Sequence, residues 1–256
     1  MQKGLFIHAI SQRCGHNFLT EVIREKLSHK IFIHKNHEVI VPSILAEKRA
    51  EFNSKNFIRN KKAKIKELEI AADSYCSSIN TKDAYIFKNS LLISRYNVDL
   101  FPDSKHIILT RNLYDLFTSY EKSIYNFRKI GFKEYVKKFI RPIYSFYVLY
   151  KWSKGIERTI SELKQIECKY LLVTYESLMT IKGQRRLFNF LDLEITIQET
   201  IKPVNVNSSF SEKNIQWNKP SKNIGDTSKR FENAPLWLRL MIILKLKNLS
   251  KELNAL

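Results

Sequence analysis

Residues 104–120 read SKHIILTRNLYDLFTSY, and this stretch decides the fold. It opens on a short apolar, β-branched run at 106–109, which is typical of a strand buried on both faces of a parallel sheet. From residue 113 onward the apolar side chains recur at helical spacing. Open α/β sheets bind ligands where a strand ends and a helix begins. There Arg111 offers a planar fork of donors to a phosphate, and Ser119, two helical turns later, adds a hydroxyl. Taken alone, the two residues equally fit an arginine at a strand end and a serine on a helix face.

Further apolar runs predict the other strands of the same sheet. They cover residues 4–10, 84–88 and 168–174, with a second strand or pair of short strands at 31–34 and 39–41. The intervening patterns predict helices, including one at 182–191 and an apolar one at 236–249, and the chain looks helical throughout 114–165. We therefore expect an α/β fold with a central parallel β-sheet flanked by helices. A chain of 256 residues with 44% apolar side chains is long enough for one such domain, residues 1–256.

The composition restricts the surroundings and the partners of the chain. Its formal charge is +19, and a field of that size attracts nucleotides, nucleic acid, acidic glycans or anionic membrane surfaces. Three cysteines without a C-x-x-C pair favour a reducing compartment over a disulfide or zinc framework. The first strand starts almost at the N-terminus, and no apolar run reaches the roughly 20 residues of a membrane span. The sequence predicts a soluble, cytoplasmic protein.

A loop follows the first strand, with the sequence SQRCGHN at residues 11–17, and a helix begins after it. Helix N-termini present unpaired N–H groups to anions, so this order of elements is a phosphate cradle. The loop lacks the G-x-x-x-x-G-K-[ST] pattern, which disfavours a nucleoside triphosphatase. A C-x5-R phosphatase loop from Cys14 would need arginine where Thr20 stands. We interpret Cys14 as a small residue in a tight loop, not as a reactive thiol.

Two histidines in the second strand region raise the question of a metal site. His34 and His37 are spaced H-x-x-H, which on a strand or loop gives the rings no common face, and the order His37-Glu38 is not that of a zincin motif. The sequence therefore predicts no metal.

The central stretch resembles the second nucleotide-binding segment of sulfotransferases that use 3′-phosphoadenosine 5′-phosphosulfate (PAPS), written R-N-P-x-D followed by S-Y. Residues 111–115 read RNLYD, and SY follows at 119–120. The resemblance implies a P-loop NTPase-like sulfotransferase architecture, PAPS as co-substrate, and a 3′-phosphate held by Arg111 and Ser119. Leu113 replaces the usual proline, which at a first helical turn only pre-sets φ, so the helix start is weakened and the site is kept.

Four other segments are similar to sulfotransferase motifs. The loop after the first strand matches the phosphosulfate-binding pattern [K/R]-S-G-T-[T/S]-x, Lys88 matches a strand-end lysine, Tyr175 matches a tyrosine near the adenine, and 224–231 resembles the C-terminal G-D-x-x-x-x-F segment. The resemblance therefore implies further cofactor-binding residues, which are Arg13, Cys14, Gly15, His16, Asn17, Phe18, Tyr175, Lys229 and Arg230.

The resemblance also implies sulfuryl transfer to an acceptor hydroxyl or amine. Negative charge builds on the leaving 5′-phosphate, and we expect Arg13 and Lys88 to meet it. A base must take the acceptor proton, and Ser90 stands where small-molecule sulfotransferases carry a catalytic histidine. The candidates for the base are His16, His37 and Glu38, and the choice stays open.

The surplus of positive charge bears on the acceptor. Basic residues concentrate at 48–66, which is either a solvated surface or a basic rim over the acceptor site. We expect an anionic glycan or glycolipid as the acceptor and no specific nucleic acid as a partner. The helix at 236–249 could make a peripheral membrane contact, but packing of this helix against the sheet is the favoured interpretation. The alternative function is a non-catalytic nucleotide-binding or nucleic-acid-binding basic protein.

Overall fold

The computed structural model describes residues 5–11, 13–15, 18–19, 22–23, 31–33, 40–54, 59–78, 84–89, 95–125, 139–192 and 230–256, with the backbone alone at 31–33 and 84–89. The strands of this part of the chain form one parallel sheet in the order β2-β3-β1-β4-β5. They are β1 (Leu5–Ala9), β2 (Ile31–Ile33), β3 (Ala84–Asn89), β4 (Lys105–Thr110) and β5 (Tyr170–Thr174).

The helices pack on both faces of this sheet. They are α1 (Ile40–Ser54), α2 (Lys61–Ser78), α3 (Arg95–Asp99), α4 (Leu113–Tyr125), α5 (Arg141–Leu163), α6 (Tyr175–Leu178), α7 (Ile181–Phe190) and α8 (Leu236–Asn254). The predicted α/β class with a central parallel sheet and flanking helices is confirmed. The interpretation as one domain stays a prediction.

Strand β1 is the centre of the sheet. All of its residues are buried, and it pairs with β3 on one side and with β4 on the other. A strand covered on both faces needs a continuous apolar run, which the sequence LFIHA supplies apart from one histidine. Because the chain turns to one side of β1 for β3 and β2 and to the other side for β4 and β5, the carboxyl end of β1 lies at the switch in strand order.

The predicted strand at 39–41 is wrong, because helix α1 begins at Ile40 and includes Val41. Three β-branched residues there resembled a strand, but Pro42 sits in the first turn of the helix, where proline's fixed φ suits the helical backbone and its missing N–H costs nothing. The basic segment at 48–66 lies largely in α1 and α2, which agrees with the solvated-helix interpretation.

The helix predicted at 236–249 exists as α8, but it packs on other helices. It lies along α5 and reaches α4, and it buries Leu238, Ile242 and Leu246 in the larger of the two apolar clusters. The same cluster contains Ile7, Ile107 and Leu109 of the strands, so the buried side of α8 belongs to the core that covers the sheet. In the part of the chain that the structure describes, no helix is both long and apolar enough to cross a membrane.

Two buried histidines lie side by side on β1 and β4. His8 Nε2 is 3.1 Å from His106 Nδ1, and His106 Nε2 is 2.9 Å from the carbonyl oxygen of Phe101. The carbonyl only accepts, so His106 donates from Nε2, accepts at Nδ1, and requires His8 to donate from Nε2. Burial lowers the pKa of His106 to about 4, and burial together with His106 lowers the pKa of His8 well below its ordinary value.

This pair is expected to make the fold sensitive to acid. Below about pH 6.5 the unfolded chain binds protons at both imidazoles while the folded chain does not, so stability falls as pH falls towards 4. The contribution is up to about 1.4 kcal/mol per pH unit for each histidine. Denaturant unfolding between pH 7 and pH 4.5 measures the slope, and His8→Leu should reduce it by about one histidine's share. An unchanged slope in that variant would assign the acid sensitivity to other groups.

Candidate functional site

The loop after β1 has the tight backbone of an anion cradle. Arg13 has φ +72° and Gly15 has φ +95°, so two of the three described residues at 13–15 lie in the left-handed region. The N–H of Leu19 donates to the carbonyl oxygen of Gly15 at 3.1 Å, which marks the start of the following helical turn. An arginine held in this region is strained, and such strain clusters at functional sites.

Cys14 lies inside this loop and is fully buried. Burial raises the pKa of its thiol to about 12, so the thiolate that would react with electrophiles is not formed near neutral pH. This agrees with the interpretation of Cys14 as a small residue in a tight loop. Phe18 is also buried, one helical turn into the segment that follows.

Tyr175, the first residue after β5, covers the loop. Its ring lies so close to Gly15 that a Cβ at that position would overlap the ring, and it meets the Phe18 ring edge-on at a centroid distance of 5.6 Å. The Arg111 guanidinium lies 4.8 Å from the same ring centroid. Glycine is therefore required at position 15 both for its φ and for the approach of Tyr175.

Arg111 follows β4 and lies against the loop after β1. Its side chain is 6% exposed, and Nη1 donates to the carbonyl oxygen of Arg13 at 3.4 Å. Its Nε is 3.9 Å from Glu176 Oε1, which also accepts from the backbone N–H of Asn112. The carboxyl ends of β4 and β5 are thus joined at one point.

Helix α4 starts well without the proline that the motif usually carries. The Asn112 side-chain oxygen accepts from the N–H groups of Tyr114 and Asp115, at 2.9 and 3.4 Å. An asparagine cap of this kind satisfies the first unpaired donors of a helix. This cap supports the helix start in place of the proline, and the expectation that the site is kept despite Leu113 stays a prediction.

Ser119 is buried in α4 and meets a residue that lies far away in the sequence. Its hydroxyl accepts a short hydrogen bond from Arg230 Nη1. The next residue, Phe231, donates its backbone N–H to Asp115 Oδ1 at 3.0 Å. Asp115 thereby fixes the backbone beside Arg230 and holds that guanidinium next to Ser119.

Three guanidinium groups share this region. Burial lowers the pKa of Arg13, and Arg111 lowers it further. Burial is also the main cause that lowers the pKa of Arg230, and the charges of Arg111 and Arg13 lower it further. Tyr175 and Asp115 raise it. Partly buried like charges within reach of one another disfavour the charged forms, and a bound polyanion would remove that cost.

The structure brings together most of the predicted residues that it describes. Arg13, Cys14, Gly15, Phe18, Arg111, Ser119, Tyr175 and Arg230 lie around the carboxyl ends of β1, β4 and β5. Lys88 lies in β3 and its backbone pairs in register with Ile7 of β1. The other predicted residues lie outside the described part of the chain, namely His16, Asn17, His37, Glu38 and Lys229. Among the residues that are described, no group of His, Cys, Asp and Glu side chains is arranged to hold a metal ion.

Three residues that position this region were not predicted from the sequence. Asp115 anchors the segment of Arg230, Glu176 joins Asn112 to Arg111, and Trp152 of α5 donates from Nε1 to Ser11 Oγ at 3.0 Å. Asp115 carried a sequence signal as the acidic position of the RNLYD motif. Trp152 had the spacing of a core residue and no signal for its hydrogen bond.

The fold is similar to solved sulfotransferase structures. The sulfotransferase domain of the olefin synthase from Synechococcus PCC 7002 superposes with a TM-score of 0.52 at 17% identity, covering 97% of this chain and 93% of that one. The sulfotransferase from Alicyclobacillus acidocaldarius gives 0.50 at 16% identity, covering 100% and 96%. No protein-family model and no curated protein matches the sequence. The chain therefore has the α/β, P-loop-like fold of bacterial sulfotransferases, and the resemblance found in the sequence is confirmed at the level of the fold.

Proposed function

We propose that the protein is a sulfotransferase that moves a sulfuryl group from PAPS to a hydroxyl or amine of an acceptor, with an anionic glycan or glycolipid as the acceptor. The observation that carries this proposal is the convergence of Arg13, Arg111 and Arg230 at the carboxyl ends of β1 and β4. PAPS carries one phosphate at the 3′ position of its ribose and a second phosphate at the 5′ position, which bears the sulfuryl group. Three neighbouring guanidiniums fit such a polyanion in charge and in donor geometry.

Arg111, Ser119 and Arg230 are assigned to the 3′-phosphate. The Arg111 guanidinium lies over the Tyr175 ring, and this contact restricts the directions in which its N–H donors point. Ser119 accepts from Arg230 and can donate its own hydroxyl proton to a phosphate oxygen. Lys229 is assigned to the same phosphate by the sequence motif.

Arg13 and Lys88 are assigned to the 5′ side, together with the loop residues Cys14 to Phe18. In the transfer, the acceptor oxygen or nitrogen forms a bond to sulfur while the bond from sulfur to the phosphate oxygen breaks. Arg13, Lys88 and the N–H of Gly15 would stabilise the electron pair that the departing oxygen keeps. The acceptor proton passes to a base, for which His16, His37 and Glu38 remain the candidates.

The acceptor class is inferred from charge. The chain carries a surplus of 19 positive charges, and the site uses only Arg13, Lys88, Arg111, Lys229 and Arg230. On α1 and α2 some basic side chains are paired locally, as Lys48 is with Glu51 at 2.9 Å, while Lys62 and Lys66 are exposed. Positive surface of this kind captures an anionic substrate faster than a neutral one.

The proposal is tested by transfer of labelled sulfate from PAPS to a panel containing acidic glycans, anionic glycolipids and neutral phenols. We expect the anionic acceptors to be preferred. Their KM should rise steeply between about 50 and 300 mM salt, where the Debye length falls from about 14 to about 6 Å, with little change in kcat. A preference for a neutral phenol, or a KM that ignores salt, would contradict the acceptor class. Two results together would contradict the sulfotransferase assignment. The first is that no acceptor is sulfated, and the second is that duplex nucleic acid raises the melting temperature while adenosine 3′,5′-bisphosphate does not.

A further inference from the structure

Exposed apolar side chains are concentrated on two neighbouring helices. Among the described residues, fourteen large hydrophobic side chains are exposed, and nine of them lie on or just before the first halves of α5 and α8. Monomeric proteins scatter such residues, so a concentration of this kind marks an interaction surface. We call the following six residues the apolar face: Phe139, Ile143, Phe146, Leu236, Leu240 and Leu244.

Helices α5 and α8 lie parallel to each other. The Arg141 guanidinium lies 5.9 Å from the Trp237 ring centroid near the starts of both helices, and Lys245 Nζ lies 4.9 Å from the Tyr150 ring centroid further along. Near their ends Lys164 and Glu252 form an ion pair at 3.0 Å. The first half of each helix is therefore at the same end of the molecule.

That end is the one that carries the candidate site. Trp152 of α5 reaches Ser11, just beyond the carboxyl end of β1, whereas the Tyr170 hydroxyl at the opposite end of β5 contacts the carbonyl oxygen of Leu163. Helix α5 thus starts beyond the carboxyl edge of the sheet and runs towards the amino edge. Because α8 is parallel to α5 and follows the segment of Arg230, the apolar face lies at the edge where the guanidiniums converge.

The outward surface of each helix changes character along its length. On α5 the exposed stripe that contains Ile143 and Phe146 continues into Lys154, which is 55% exposed. On α8 the stripe through Leu240 and Leu244 continues into Lys247, which is exposed as well. Lys154 forms an ion pair with the equally exposed Glu157 at 2.7 Å. Both helices are therefore apolar at the end near the site and charged alongside the sheet.

We propose that the apolar face docks the protein on an anionic lipid bilayer. Aliphatic and aromatic side chains would enter the boundary between headgroups and acyl chains, and the basic side chains around them would meet anionic headgroups. Lys245 flanks the face, and its Nζ lies over the Tyr150 ring, which keeps this positive charge near the face. The net charge favours an anionic bilayer over a second copy of the chain, because two molecules with a formal charge of +19 each repel one another. The inference does not depend on the proposed function.

The experiment is co-sedimentation of the full chain with vesicles of equal parts phosphatidylcholine and phosphatidylglycerol, and with vesicles of phosphatidylcholine alone. The test variant is Ile143→Glu with Leu244→Glu. The control is Ile44→Glu with Ile70→Glu, which makes the same change in charge at two exposed apolar positions on α1 and α2. All four positions are exposed, and melting temperatures check that both variants stay folded.

We expect the protein to bind the anionic vesicles, and the test variant to bind about 10-fold less or weaker still while the control keeps most of the binding. Equal loss in both variants would mean that charge alone drives binding and would overturn the proposal. Failure of the unmodified protein to bind anionic vesicles would overturn it too. So would a dimer in sedimentation that the test variant abolishes, because the face would then be an interface between copies.

Discussion

Arg13→Ala is expected to lower the turnover of sulfuryl transfer by about 100- to 1000-fold, the usual effect of losing one preorganised donor to a developing oxyanion. The melting temperature should stay unchanged or rise slightly. Burial and the neighbouring Arg111 lower the pKa of Arg13, which means that its positive charge destabilises the folded state. Its backbone carbonyl, which accepts from Arg111, remains in the variant. Alanine at φ +72° carries the same backbone strain as arginine.

One control variant and one second test variant separate catalysis from folding in this prediction. Arg158→Ala removes a guanidinium that is 71% exposed on α5, and it should leave both turnover and melting temperature unchanged. Lys88→Ala is expected to behave like Arg13→Ala, because the sulfotransferase resemblance gives both residues the same leaving phosphate. If the Arg13 and Lys88 variants unfold instead, these residues are structural and the catalytic assignment is wrong.

Arg141→Ala is expected to destabilise the fold by about 3 kcal/mol, near the lower end for breaking a buried ion pair. Glu121 of α4 is 1% exposed and accepts from Arg141 Nε and Nη2, both at 2.8 Å, and from Ser145 Oγ at 2.9 Å. Without Arg141 the carboxylate stays buried beside the neutral hydroxyl of Ser145. The Arg141 side chain is 35% exposed, so solvent lowers the cost from the full value for a buried pair.

Denaturant unfolding measures this cost, with the pair of Glu162 and the 71% exposed Arg158 as the reference. Arg158→Ala should cost less than about 0.5 kcal/mol, as exposed i, i+4 pairs do. Adding Glu121→Gln to Arg141→Ala should restore part of the stability, because no charge is then left buried. A loss below about 1 kcal/mol in Arg141→Ala would show that water reaches Glu121 and that the pair does not hold α4 to α5.

The strands were predictable because central parallel strands need continuous apolar runs, and such runs can be recognised directly in the amino-acid sequence. Both β1 and β4 were predicted to within one residue at each end. The exception was 39–41, where three β-branched residues outweighed the helical preference of the residues after Pro42. A run of three residues is too short for periodicity to separate a strand from a helix start.

The residues of the candidate site were predictable where a local motif carried them. Arg111 lies between β4 and α4 and Ser119 lies within α4, and the R-N-P-x-D motif with its following S-Y indicated both. Asp115 and Phe231 are 116 residues apart, and so no local pattern could indicate their hydrogen bond. The same holds for the histidine pair, whose members are joined only by the pairing of β1 with β4.

The most direct test of the 3′-phosphate site is calorimetric binding of adenosine 3′,5′-bisphosphate and of adenosine 5′-monophosphate to the unmodified protein and to Arg111→Ala. We expect the bisphosphate to bind more tightly than the monophosphate. Arg111→Ala should weaken binding of the bisphosphate by about 2 kcal/mol or more, roughly 30-fold in Kd, and leave binding of the monophosphate little changed. Equal binding of the two nucleotides, with no effect of the substitution, would contradict the 3′-phosphate site.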